Sequence, residues 1–208
     1  MKIVIISDSH GYHNGLTLPD GDLLIHAGDV SGRGMESQVL DFLEWYDKLQ
    51  FKHKIFIAGN HDFYFEQEKA EKIQQCIPSS TTYLNDSGTS INGINIWGSP
   101  VSTWFYDWAF NSHKGEEIKK HWDKIPLNTD ILITHGPPFG IFDKTHSGVH
   151  AGCEVLLEKV KEIKPKYHIF GHIHEGYGIT ELDGTTFINA SVLTADYRLV
   201  NAPIIIDL

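Results

Sequence analysis

Residues 54–62 read Lys-Ile-Phe-Ile-Ala-Gly-Asn-His-Asp, and the shape of that stretch decides the fold. An apolar run of strand length gives way at Gly59 to three residues of metal-ligating type. The same shape recurs in both directions along the chain. Lys2–Ser7 runs into Asp8-Ser9-His10, and Asp22–Ala27 into Gly28-Asp29. Asp130–Thr134 runs into His135-Gly136, and Tyr167–Phe170 into Gly171-His172-Ile173-His174. In α/β sheets a ligand site lies beyond the carboxyl ends of the strands, so five such strands build one polar cluster at a single edge. Carboxylates and imidazoles share a half-buried cleft in such numbers only where cations hold them. Mixed imidazole and oxygen donors suit Mn, Fe, Zn or Ni better than Ca or Mg alone. The glycines before Asp29, Asn60 and His172 fit tight turns or close backbone approach.

Further strand-like runs lie at Ile94–Trp97, Thr185–Ile188 and Pro203–Ile206. Helical spacing predicts Glu36–Leu49, with Val39, Phe42, Leu43, Tyr46 and Leu49 on one face. It also predicts Glu66–Gln75, Cys153–Ile163 ending before Pro165, and a weaker, polar Ser112–Lys124 stopped by Pro126. Strands alternating with helices read as α/β, and the extra strands near Ile94 and after Tyr177 argue against a purely parallel sheet. No repeat or linker divides the chain, so residues 1–208 are expected to form a single domain.

With 41% hydrophobic and 21% charged residues, the composition excludes disordered, collagen-like and disulfide-scaffold classes. Lys and Arg total 17 against 27 Asp and Glu, a net charge of −10, which excludes long nucleic acid and anionic membrane as general partners. A small anionic substrate remains compatible if cations inside the site supply positive charge. The two cysteines suggest no secreted framework, and Cys153 falls on a helical face as a core residue. The apolar start of the chain turns polar at Ser7, too early for a signal peptide, and no run reaches membrane-spanning length. The expected location is cytoplasmic. The 13 histidines are the unusual feature.

Taken singly, Asp8-x-His10 or Gly28-Asp29 is weak, but all five elements in this order are specific. In that order the sequence resembles the calcineurin-like metallophosphoesterase superfamily, whose pattern is D-x-H, G-D, G-N-H-D/E, a strand-end histidine and G-H-x-H. It is similar, more narrowly, to the metallophosphoesterase-domain-containing subfamily near the class III cyclic-nucleotide phosphodiesterases. That likeness rests on Trp97-Gly98-Ser99-Pro100, Trp108-Ala109-Phe110-Asn111, Thr134-His135-Gly136-Pro137-Pro138 and the stretch from Gly171 to Gly178.

The resemblance implies a fold of two mixed β-sheets in a sandwich flanked by helices. It also implies two divalent or mixed-valence transition-metal ions, Mn favoured and Fe, Zn or Ni as alternatives. One would be held by Asp8, His10, Asp29 and His174, the other by Asp29, Asn60, His135 and His172, with Asp29 bridging. A hydroxide between the metals would attack phosphorus, with His61, beside Asn60, as acid and Asp62 orienting it. The implied activity is hydrolysis of small phosphodiesters, with cyclic nucleotides as candidates. A phosphomonoesterase, including a protein serine/threonine phosphatase, is the first alternative. A non-catalytic scaffold is the second, and the complete donor set argues against it. A DNA nuclease is disfavoured by the acidic balance.

Outside the motifs, His13, Asn111, His146 and His150 are candidates for substrate contact. His26 and His168 lie within strands and read as core histidines, whereas His53, His113 and His121 read as surface. The aromatic run from Trp104 to Phe110 reads as a long loop packed onto the sheet, with stacking on a nucleobase as the alternative.

Overall fold

The computed structural model describes residues 1–208. In chain order the elements are β1 (Lys2–Ile6), β2 (Leu23–Ala27), α1 (Glu36–Lys48), β3 (His53–Ile57), α2 (Phe63–Gln67) and α3 (Ala70–Cys76). Next come β4 (Thr81–Tyr83), β5 (Ser87–Ile91), β6 (Ile94–Ser99), β7 (Ser102–Thr103), β8 (Asn111–Ser112) and α4 (Glu116–Trp122). The chain closes with β9 (Ile131–Thr134), α5 (Glu154–Ile163), β10 (Tyr167–Phe170), β11 (Gly178–Leu182), β12 (Thr185–Asn189) and β13 (Ile204–Asp207). No helix is long and apolar enough to cross a membrane.

Continuous apolar runs arise where a strand is covered on both faces. In β1 to β3, Ile3, Ile5, Leu23, Ile25, Ile55 and Ile57 face inward between two sheets. Their neighbours Val4, Ile6, Leu24 and Phe56 face outward onto Val39, Phe42 and Tyr46 of α1 and Phe65 of α2. The second sheet repeats this. Ile96, Ile131, Ile133, Ile169 and Ile188 meet the first sheet, while Leu132, Phe170 and Phe187 pack with Ile118 and Trp122 of α4 and Leu156 and Val160 of α5. The result is a four-layer helix–sheet–sheet–helix sandwich.

The first sheet runs β13-β1-β2-β3-β4, parallel except for β13. The second runs β11-β12-β10-β9-β6-β5, parallel in its centre with antiparallel β11 and β5 at its edges. Both sheets are therefore mixed, as expected. Their carboxyl edges meet: Ser7 bridges Ser191, and the His172 N–H donates to the Asp8 carboxylate at 3.0 Å.

Two predicted helices differ. The stretch Glu66–Gln75 is not one helix, because the chain is extended at Glu68 and Lys69 between α2 and α3. Docking explains the break. Phe65 packs against Phe56 and Tyr83 at ring distances of 5.5 and 4.9 Å, and Ile73 reaches the same core from α3. The helix predicted from Ser112 starts only at Glu116, since Gly115 at φ 89° lies outside helical backbone and Ser112 pairs in β8.

Candidate metal centre

Each strand that ends in the cluster hands its donor over within a few residues. Asp8 follows β1, Asp29 follows β2, Asn60 follows β3, His135 follows β9 directly, and His172 and His174 follow β10. Four donors adopt left-handed backbone: Asp8 at φ 54°, His10 at 43°, Asp29 at 55° and His172 at 67°. Such residues are rare outside glycine, and the surroundings must hold them there. Here Asp8 N donates to Gly28 O at 2.9 Å and His10 N to Asp29 O at 3.0 Å. Two glycines are required by close approach. A Cβ on Gly171 would overlap Asp8 Oδ2 and Ser7 Oγ, and one on Gly59 would overlap Asp29 Oδ1.

The donor atoms converge in two sets. Asp29 Oδ2 lies 3.5 Å from His10 Nε2 and 3.3 Å from His135 Nε2. On one side, His10 Nε2 is 3.3 Å from His174 Nε2, which is 3.5 Å from Asp8 Oδ1. On the other, Asn60 Oδ1 lies 2.9 Å from His135 Nε2 and 2.7 Å from His172 Nδ1. Donors held about 2.1 Å from one cation are roughly 3–3.5 Å apart at tetrahedral to octahedral angles, so the spacing fits. The tautomers fit too. His135 Nδ1 lies 3.1 Å from Ala27 O and His174 Nδ1 lies 3.0 Å from Thr194 O. A carbonyl can only accept, so each Nδ1 carries a proton, and Nε2 is the atom each ring turns to the cluster, where its lone pair is free for a cation once the ring has no second proton.

Burial opposes charge on Asp8 and Asp29, yet contact with His174 and His135 respectively holds both carboxyls below their usual range. Burial equally opposes a proton on the two rings, but Asp29 drives His135 up to about 9 and Asp8 drives His174 up to about 9. His10 and His172 are pushed down to about 4, chiefly by burial. Two carboxylates thus persist in a buried site, balanced by two protons where cations are absent.

His61 sits beside this cluster, its nitrogens close enough to His10 and Asp29 to share a cation with them. Its Nδ1 donates to Gly32 O at 2.8 Å, its ring stacks on Trp108 at 4.2 Å, and its backbone N donates to Asp29 Oδ1 at 2.8 Å. Asp62 does not orient it. The Asp62 carboxylate accepts from Gly59 N at 2.9 Å, Val30 N at 3.1 Å, Ser31 N at 2.9 Å and Ser31 Oγ at 2.6 Å. Burial, then the charge of Asp29, pushes Asp62 up to about 6 despite these bonds. Adjacent in sequence, the two side chains leave the tight turn closed by Asp62 N and Gly59 O with different partners.

The substrate-contact candidates fall elsewhere. His13 is a buried histidine 3.1 Å from Asp41 Oδ2, wedged against Phe42 and Trp45 of α1. Asn111 spends its amide on Phe105 O and Tyr106 O and accepts from Ser102 Oγ, so it shapes the aromatic loop. His146 is exposed and gives its backbone N–H to Glu175, while His150 lines a neighbouring cavity. His26 and His168 are core residues bonded to Ser9 Oγ and Thr134 Oγ1, each at 2.9 Å.

Only the far end of the aromatic loop packs down, with Ala109 buried and Phe110 against the core between the first sheet and α1. Trp104, Phe105 and Tyr106 are 48%, 58% and 67% exposed, and Phe105 and Trp108 wall a cleft of about 300 Å³ over the donors. Sequence reasoning missed Ser191, whose Oγ donates to Asp8 Oδ2 at 2.6 Å, and Tyr197, whose ring covers His10 and His174 at 5.0 and 5.4 Å. Neither carries a local signal, since both reach the site from a loop distant in sequence.

The family model described as calcineurin-like phosphoesterase matches residues 1–176. Human metallophosphoesterase domain-containing protein 1 is 41% identical over 230 residues, covering 100% of this chain and 71% of the human protein. A UPF0046 protein of Caenorhabditis elegans is 37% identical, covering 100% of this chain and 81% of its own. Among solved structures, the phosphopantetheinyl hydrolase PptH of Mycobacterium tuberculosis has a TM-score of 0.62 at 14% identity, covering 94% of this chain and 90% of that one, a likeness of fold. Since the family match runs from β1 to just beyond the last clustered histidine, His174, the chain belongs to the calcineurin-like phosphoesterases.

Proposed function

We propose that this chain is a dinuclear metal-dependent phosphodiesterase acting on small phosphodiesters, with cyclic nucleotides as candidates. The observation that carries the reading is the position of Asp29 Oδ2 between His10 Nε2 and His135 Nε2, one oxygen facing two donor sets. In this reading Asp8, His10, Asp29 and His174 hold one ion, and Asp29, Asn60, His135 and His172 the other. Mn is favoured, and Fe, Zn or Ni suit the same donors. When bound, the two cations supply Lewis-acid polarisation of the phosphoryl group and activation of water.

The residues of the chain supply the rest. His61, fixed by Gly32 O and the Trp108 face, presents Nε2 at the cleft; with Nδ1–H already given to Gly32 O, it acts as acid in the form protonated at both nitrogens, passing the Nε2 proton to the leaving oxygen and keeping the one on Nδ1. Asn60 Oδ1 and Asp29 keep the donors in register. The cleft lining contains no Lys or Arg. A monoester dianion calls for such a cationic clamp in addition to metals, whereas a diester carries a single charge, and this favours the diester. The two cysteines, Cys76 and Cys153, are free, which suits the reducing cytoplasm.

Hydrolysis of bis-p-nitrophenyl phosphate by metal-stripped protein, with and without Mn and with His135→Ala as control, tests the proposal. Metal-dependent turnover lost in the variant is expected. No turnover by protein carrying two metals would move the assignment to a monoesterase or an inert scaffold.

A further inference from the structure

Beside the cleft over the donors lies a second cavity of about 540 Å³, and the two share Phe105 and His172. The second cavity therefore lies within reach of one substituent of a phosphoester seated at the donors. Trp104 and Phe105, both half exposed, form one wall, with Val149 also exposed in the lining. Behind Trp104 the ring of His113 stacks at 5.3 Å and 23°, which fixes the orientation of the indole.

His150 is held in this lining by a carboxylate that is itself buried. Asp143, 1% exposed, accepts from His150 Nδ1 at 2.7 Å, Gly140 N at 2.9 Å and Gly152 N at 3.1 Å. A carboxylate has no proton to give, so Nδ1–H donates and the neutral ring carries its lone pair on Nε2. The imidazole is 45% exposed, leaving Nε2 free to accept. The cavity holds a second acceptor in Glu175, whose carboxylate takes the His146 N–H at 2.8 Å. Its cation is already engaged: Lys114 Nζ is 3.1 Å from Glu154 and 3.3 Å from Gly152 O. Aromatic faces, acceptors at the rim and no free cation disfavour an anionic substituent and suit a hydroxylated ring, with C–H surface on the aromatics and O–H groups at its edge.

We infer that the second cavity binds one alcohol arm of the substrate, and that this arm is a hydroxyl-bearing ring whose O–H donates to His150. The inference rests on the phosphodiesterase reading and names the substrate class for it. Asp143 acts through His150 and is a positioning residue.

The test compares two p-nitrophenyl phosphodiesters, one of a non-vicinal cyclohexanediol and one of cyclohexanol. They share leaving group and ring and differ by one hydroxyl. The kcat/KM of the diol ester is expected to exceed that of its partner by about tenfold, or ~1.4 kcal/mol. In His150→Ala the ratio is expected to fall to about one, whatever the absolute rates, while Lys52→Ala, exposed just before β3 at the strand end away from the donors, keeps it. A ratio near one in the wild type, or a preference that survives His150→Ala, overturns the subsite. Either result with turnover of bis-p-nitrophenyl phosphate intact leaves the phosphodiesterase reading standing. If no diester turns over, that reading falls, and the subsite is measured by calorimetric binding of the two phosphonate analogues. Equal Kd values then overturn it, and a tenfold difference lost in His150→Ala supports it.

Discussion

Lowering the pH should unfold the metal-free protein partly through one buried ring, His168. Thr134 Oγ1 lies 2.9 Å from His168 Nε2 and donates its own proton to Gly136 O at 2.7 Å. The hydroxyl can then only accept from the ring, so Nε2 carries the proton and Nδ1 is a bare, buried atom without a partner. A second proton would have to sit at Nδ1, in a ring packed against Phe170 and Phe187. Burial accordingly pushes His168 down to about 3. In the unfolded chain a histidine titrates near 6.5, so the unfolded state binds the proton first. The stability gained by keeping the ring neutral is complete above about pH 6.5 and is lost as pH falls toward about 3. At about pH 5, roughly one and a half pH units into that window, the loss is ~2 kcal/mol. The assay is urea unfolding of chelator-treated wild type and His168→Leu at about pH 7.5 and about pH 5. The stability of the wild type relative to the variant should drop by ~2 kcal/mol between the two conditions. A relative stability constant within about 0.5 kcal/mol would refute the reasoning, because the folded ring would then be taking up the proton as readily as the unfolded chain.

Asp29→Asn should leave less than one tightly bound metal per chain and lower turnover on the order of a hundredfold or more, since both donor sets lose their shared oxygen. Two metals retained after dialysis, by elemental analysis, would count against the bridging role. His61→Ala should keep both metals yet lose on the order of a hundredfold with an alkoxide leaving group and under about tenfold with nitrophenolate, which needs little protonation. Equal losses on the two would make His61 an electrostatic contact instead of an acid. Because His135 and His174 are raised to about 9, both are protonated in the metal-free protein near neutrality, and Mn uptake at about pH 7.5 should release about two protons. A pH-stat titration showing none would refute that pairing of protons with carboxylates.

Much of the architecture was legible because it is written in local patterns. Strands covered on both faces, such as β1 over Ile3-Val4-Ile5-Ile6, show as unbroken apolar runs, and the face of α1 shows as Val39, Phe42, Leu43 and Tyr46. Strands that owe their existence to a neighbour were not legible. β5, reading Ser-Gly-Thr-Ser-Ile, is polar and forms an edge because β6 offers it a ladder. At the site, the donors were legible since their residue types and strand-end positions are both in the sequence. Partnerships were not. Asp62 beside His61 suggested a pair, but its carboxylate closes the loops after β2 and β3, and a backbone carbonyl, that of Gly32, holds the ring instead. A carbonyl has no signature by which sequence could point to it. His13 looked close to the first motif, yet a short helical turn at His13–Gly15 buries it under α1.

The two carboxylates do more than face the cluster. Asp8 accepts the His172 N–H and the Ser191 hydroxyl while Oδ1 lies 3.5 Å from His174 Nε2. Asp29 gives Oδ1 to the His61 N–H and Oδ2 to His10 and His135. Each therefore stabilises a neighbouring loop with the same group that would serve a cation. His172 itself has the left-handed backbone, and a lost acceptor would release it. Truncating either carboxylate would consequently mix two effects, a loosened turn and a missing donor. Asp29→Asn separates them, because an amide can leave its oxygen on the His61 N–H and replace only Oδ2 with an NH₂ group that cannot ligate. Asp29→Ala removes both. The stability difference between these two variants measures the turn, and the metal content of Asp29→Asn measures the cluster.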